Sequence, residues 1–117
     1  MPLTIVRMPE YLLVSGSGLG SLIEAQQHFR DLSTLLVAER KTNQGVRLLI
    51  NLRAAIPHSP EVAAHIERVL PVLYREGDRV AVLVRSTPNK AETKTSHDAV
   101  YSDVFLSQEA AEAYLRR

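Results

Sequence analysis

The sequence predicts a single α/β domain: a mixed, mostly parallel sheet of about five strands, opened by an N-terminal hairpin and covered by three to four helices. Three observations carry this. Residues 46–66, VRLLINLRAAIPHSPEVAAHI, read as a strand, a short loop and the start of a capped helix. Leu48, Leu49 and Ile50 put apolar side chains on both faces of that strand, which only a strand covered on both sides tolerates. To either side, strand-like and helix-like stretches alternate, as a parallel α/β sheet requires. The 117 residues are expected to form one domain, 1–117, with a two- or three-layer core.

Composition narrows the function classes. A hydrophobic share of 45% and a charged share of 23% belong to an ordinary globular chain. A formal net charge of +1 is no electrostatic footprint for nucleic acid, which needs a clustered basic excess. The absence of cysteine excludes disulfides, thiol catalysis and cysteine-ligated metal. No apolar run approaches the ~20 residues of a membrane span. The first residues do not resemble a signal peptide, so a cytoplasmic location is the default expectation.

The elements follow in order. Leu3–Met8 and Tyr11–Ser15, separated by Pro9 and Glu10, read as a hairpin, because proline fixes φ and removes a donor where pairing should stop. In SGSGLGS, residues 15–21, glycines follow a strand and precede a helix, a setting in which backbone amides can cradle a phosphate. The spacing matches neither G-x-G-x-x-G nor the lysine-bearing phosphate loop, which leaves a turn needing positive φ as the simpler reading.

A first helix is expected from about Leu22 to Arg40. Ser21 and Glu24 form its capping box, and Leu22, Ala25, Phe29, Leu32 and Leu36 its inner stripe, supported by Ile23 and Leu35. Glu24, Gln27, His28 and Asp31 fall on the wet side. The strand Val46–Arg53 follows. Then Ser59, Pro60 and Glu61 make a helix start by cap, fixed φ and dipole. That helix should bury Val62, Ala63, Ile66, Val69, Leu70 and Leu73, kink near Pro71 and end at Gly77.

Arg79–Arg85 is a strand by composition. Residues 86–98, STPNKAETKTSHD, offer almost nothing to bury and read as a loop. Val104, Phe105 and Leu106 return to strand. Ser107 caps a last helix whose inner stripe is Ala110, Ala111, Tyr114 and Leu115.

The succession of VRLLINLRA, a helix, RVAVLV and VFLSQEAAEAYL resembles the SpoIIAA-like family of small bacterial proteins, relatives of STAS domains. The ending carries most of it: Phe105, Ser107, Glu109, Ala110, Ala111, Tyr114 and Leu115. The resemblance implies the STAS-like fold and a regulatory or ligand-binding role rather than catalysis. It extends loosely to lipid-transfer domains, which would imply a carrier with an apolar cavity between helices and sheet. STAS switch proteins carry a phosphorylatable serine in Asp-Ser-x-Gly; here His58-Ser59-Pro60-Glu61 stands in its place, so Ser59 reads as a cap. A second departure is the polar stretch 86–98, where relatives place a helix.

Candidate chemistry is sparse. His28, His58, His65 and His97 make no i, i+4 ligand pair, so no metal or cofactor is expected. His58 beside Ser59 has no acid placed to orient it. Asn51 and Arg53 are stronger, because they share a strand face at the strand's carboxyl end, where ligands of open α/β sheets bind. Ser17, Gly18, Ser59, Ser86 and Thr87 should converge on the same rim, as a binding edge for a small anionic or polar ligand or a protein partner. Lys90, Lys94 and His97 read as a solvated loop. No paired carboxylates or triad appears, which places an enzyme third after the binding module and the carrier. The uncharged, β-prone edge at Leu3–Val6, together with Leu35 and Val37 on the first helix, predicts a homodimer through the hairpin or that helix face.

Overall fold

A computed structural model describes residues 3–16, 18–42, 45–54, 59–75, 77–85 and 102–116. It is the predicted α/β domain. The strands β1 (Thr4–Arg7), β2 (Leu12–Ser15), β3 (Arg47–Asn51), β4 (Arg79–Leu83) and β5 (Ser102–Phe105) form one five-stranded sheet in the order β1-β2-β3-β4-β5. β1 pairs antiparallel with β2, and the other neighbours are parallel. Three helices are described: α1 (Leu22–Thr42), α2 (Pro60–Leu73) and α3 (Gln108–Arg116). Residues 86–98 and His58 lie outside the described residues.

The period of two along the strands sorts the core into two layers. Leu12, Val14, Leu48, Ile50, Val80, Val82 and Val104 face α1 and α2, where Leu32, Leu36, Leu70 and Leu73 meet them. Leu49, Ala81 and Leu83 face the other way, onto Ala111 and Leu115 of α3. β3 and β4 are therefore buried on both faces, which is why their sequences are unbroken apolar runs rather than alternating ones. Truncating Leu49, almost wholly buried, to alanine would remove contacts to a layer only one helix deep, at a cost of about 3 kcal/mol.

A buried carboxylate joins the elements at the amino ends of β3 and β4. Asp78 is 4% exposed. It accepts hydrogen bonds from Arg40 Nε at 3.3 Å, from the Val46 amide at 3.0 Å and from the Arg75 amide at 2.8 Å, and it pairs with Arg40 Nη2 as well. The same Nη2 donates to the Leu73 carbonyl at 2.9 Å, satisfying an orphan acceptor at the end of α2. Burial alone would push the Asp78 carboxyl up. The Arg40 hydrogen bonds and the two amides outweigh it and hold the group below the usual carboxylate range. Beside this cluster the Gly45 backbone runs against that of Gly77; a Cβ at Gly45 would sit 2.0 Å from the Gly77 carbonyl oxygen. Gly45 is thus required by close approach, beyond marking a turn.

Several local expectations are corrected. α2 ends at Leu73 with an extended Tyr74 as its cap, two residues after Pro71, so Gly77 (φ 95°) serves the turn into β4 instead. His28 is buried, not wet: with Ala25, Leu32 and Leu36 it recurs every three to four residues on the inner stripe of α1. Ile23, 77% exposed, lies about 200° around the helix from Ala25, and Leu35 only borders the stripe. Ala110 is exposed because Ala111 and Leu115 alone make the buried face of α3. Glu24 accepts from the Gly20 amide at 2.8 Å, one residue before the Ser21 amide that a strict capping box would use.

The Asp78 cluster sets a pH dependence. Because the folded pKa is depressed, its stabilisation is fully present above the unfolded value of about 4 and is lost as pH falls through the folded value. Asp78→Asn is expected to cost about 2–4 kcal/mol at neutral pH, and the gap from the wild type to shrink on acidification below about pH 4. Urea denaturation of both chains across that range measures it.

Candidate functional site

Parallel pairing brings the carboxyl ends of β2 to β5 to one edge of the sheet, and α1, α2 and α3 start at that edge. Asn51 closes β3, in register with Ser15 of β2 and Leu83 of β4. Its Oδ1 accepts from the Arg53 amide at 3.1 Å and from Arg53 Nε at 3.3 Å. This side chain-to-backbone bond two residues on is how asparagine forms a turn, and here it also holds the guanidinium. Arg53 Nη2 donates to Gln108 Oε1 at 3.3 Å, at the first residue of α3.

Arg53 is exposed and both of its side-chain partners are neutral oxygens. No described carboxylate pairs with it. Next to it, Ser107 Oγ accepts from the Ala110 amide at 3.4 Å, which caps α3. The positive end of the α3 dipole thus lies on the arginine's side of the sheet.

Of the residues expected on this rim, the structure brings Asn51 and Arg53 together. Gly18 is buried, with φ 125°, in the connection between β2 and α1. Ser59 is the N-cap of α2, accepting from the Val62 amide at 3.3 Å. Both stand at the same sheet edge, with no hydrogen bond to Asn51 or Arg53 among the described residues. Ser17, Ser86 and Thr87, with Lys90, Lys94 and His97, lie outside the described residues. Gln108 was missed in the sequence. Its signal was topological: the first residue of a helix following a parallel strand must sit at this edge.

Two clefts lie elsewhere. One of about 380 Å³ sits at the opposite edge, lined among others by Arg7, Glu10, Tyr11, Glu39, Arg47 and Arg116. Its cations are already engaged: Arg7 pairs with Glu39, Arg116 with Glu10 at 3.6 Å, and Arg47 Nε donates to the Leu115 carbonyl at the end of α3. Tyr11 donates to Glu112 at 2.8 Å, and burial, followed by that hydrogen bond to a carboxylate, raises its phenol pKa. An arriving anion would have to displace these partners, whereas Arg53 needs no such exchange.

A second cleft of about 390 Å³ lies between β1 and α1, lined by Leu3, Ile5, Leu19, Leu35, Glu24, Gln27, His28 and Asp31. His28 makes an edge-on contact with Phe29, which in turn meets His65 of α2. Burial lowers the His28 pKa, partly offset by Asp31. The imidazoles are packing groups between two helices. Among the described residues no three His, Asp or Glu side chains gather as a metal site.

Fold and edge together define a structural class: an α/β domain of five strands in sequential order, with a polar, arginine-bearing rim at the carboxyl ends of its parallel strands. The chain matches no protein-family model, and no curated protein is significantly similar to it in sequence. No described helix is long and apolar enough to cross a membrane.

The geometry of Ser59 predicts a purely structural role. Ser59→Ala should lower stability by about 1 kcal/mol, while Ser59→Asp, which also caps, should stay close to the wild type. Thermal denaturation of the two variants measures the difference.

Proposed function

We propose that the protein is a non-enzymatic regulatory or ligand-binding module of the SpoIIAA-like type, which engages a small anionic group at the carboxyl edge of its sheet. The group belongs to a free ligand or to an acidic side chain of a protein partner. The observation that carries this is Arg53, exposed and oriented by Asn51 and Gln108 with no described carboxylate against it. A guanidinium held in place by neutral oxygens keeps its full charge and loses little side-chain entropy on binding. The neighbouring start of α3 adds favourable dipole on the same side.

Support for the family reading is the element order among the described residues, a hairpin, helix, strand, helix and strand, then a last strand and helix; the helix that relatives place at 86–98 falls outside the described residues. The carrier reading would place an apolar ligand between sheet and helices; there Leu32, Leu36, Leu70 and Leu73 already pack on the strands.

Titration with inorganic phosphate, followed by amide and arginine-side-chain NMR, tests the rim. Saturable shifts are expected at residues 51–53 and 107–110, with a Kd on the order of millimolar, and their loss in Arg53→Gln. Shifts that do not saturate, or that persist in Arg53→Gln, would refute the site.

A further inference from the structure

The outer edge of β1 has backbone groups that the sheet does not use. β1 pairs only with β2 among the described residues. The Met8 amide donates to the Tyr11 carbonyl at 2.8 Å, which makes Met8 and Tyr11 a hydrogen-bonded pair of the hairpin. Such pairs alternate along an antiparallel ladder, so Val6 with Leu13 and Thr4 with Ser15 are the next ones. The amides and carbonyls of Leu3, Ile5 and Arg7 therefore point outward. Nothing on Thr4, Ile5 or Val6 resists an incoming strand: the stretch is uncharged and β-prone, and Val6 is 47% exposed.

We infer that this edge pairs antiparallel with β1 of a second copy of the chain, about a two-fold axis at Ile5. The register follows from which groups are available. An axis at Ile5 sets Ile5 against its own counterpart and Leu3 against Arg7, so every outward backbone group of the strand is used. An axis at Val6 would bring Leu3 against Pro9, which has no amide and lies in the hairpin turn.

Side chains match in the same register. Leu3 and Ile5 line the cleft between β1 and α1, whose polar wall carries the carboxylates of Glu24 and Asp31. Arg7 of the second copy arrives beside Leu3, at the mouth of this acidic cleft. Arg7 is paired with Glu39 of its own chain through Nη1, but its side chain is 67% exposed, which leaves the rest of the guanidinium accessible to the second copy. Each copy thus supplies a cation to the other's cleft, and no like charges face each other along the strands. The symmetric arrangement makes the contact isologous and closed, with one sheet running through both chains.

Sedimentation equilibrium at micromolar protein gives the first measure, with twice the 13.0 kDa chain mass expected. The register is read by cysteine crosslinking in a chain that has no native cysteine. In a hydrogen-bonded antiparallel pair the Cα atoms are about 5.5 Å apart, within disulfide range. Ile5→Cys should form a linked dimer under mild oxidation. Val6→Cys, which faces Thr4 of the second copy, should not. Asp31→Lys, on the exposed surface of α1, should weaken the dimer at least tenfold while leaving the circular dichroism unchanged. A wild-type monomer, equal crosslinking at both cysteines, or a dimer indifferent to Asp31→Lys would each overturn the inference.

Discussion

One buried carboxylate sets the geometry of the lower half of the molecule. Asp78 takes the end of α1 through Arg40, the start of β3 through the Val46 amide and the chain leaving α2 through the Arg75 amide. Arg40 in turn reaches the last carbonyl of α2. Two stretches far apart in sequence, Arg40 with Val46 and Leu73 with Arg75 and Asp78, are thereby fixed to one another at a point where the hydrophobic layers cannot specify position, because apolar contact is non-directional. A charge this deep is tolerated because a guanidinium and two backbone amides donate to it. The close backbone crossing of Gly45 and Gly77 beside it leaves the segments little room to slide.

From that fixed end the strands run to a free one. The registers Leu48 with Val80 and Leu12 with Leu48 carry the alignment across the sheet, so the carboxyl ends finish level with each other. α3 is held at its far terminus by strand arginines: Arg47 donates to the Leu115 carbonyl and Arg79 to that of Tyr114 at 3.3 Å. These side chains complement the negative end of the helix and anchor it over β3 and β4. Its other end, with Gln108, is therefore delivered to Arg53. Structural and candidate functional charges sit at opposite ends of the same strands and the same helix.

The division of the arginines follows burial and partner type. Arg40, Arg47 and Arg79 are consumed by carbonyls and by Asp78. Arg53 stands past the end of β3, where the chain turns and apolar layers stop. A cation is cheap to keep there, since it remains solvated, and its neutral partners restrict its direction without neutralising it.

The sequence by itself determined the order and kind of the elements. The unbroken apolar runs of Leu48–Ile50 and Val80–Leu83 could be satisfied only by strands covered on both faces, and the Ser59-Pro60-Glu61 start and the Ser107 cap are local chemistry that needs no distant partner. Asn51 and Arg53 were legible as close neighbours, but β3 ends at Asn51, so Arg53 stands in the turn beyond it, held by Asn51 Oδ1, and not on the shared strand face that the sequence suggested. Only the tertiary structure decided what depends on contacts between distant segments: the burial of His28 on the inner face of α1, the role of Arg40 and Asp78, the crossing of Gly45 and Gly77, and the meeting of Gln108 with Arg53, which is 55 residues away. Periodicity fixes which face of an element is apolar. It carries no information on which polar side chain the opposite element will bring to that face, because this is set by how far each helix slides and turns as the layers pack.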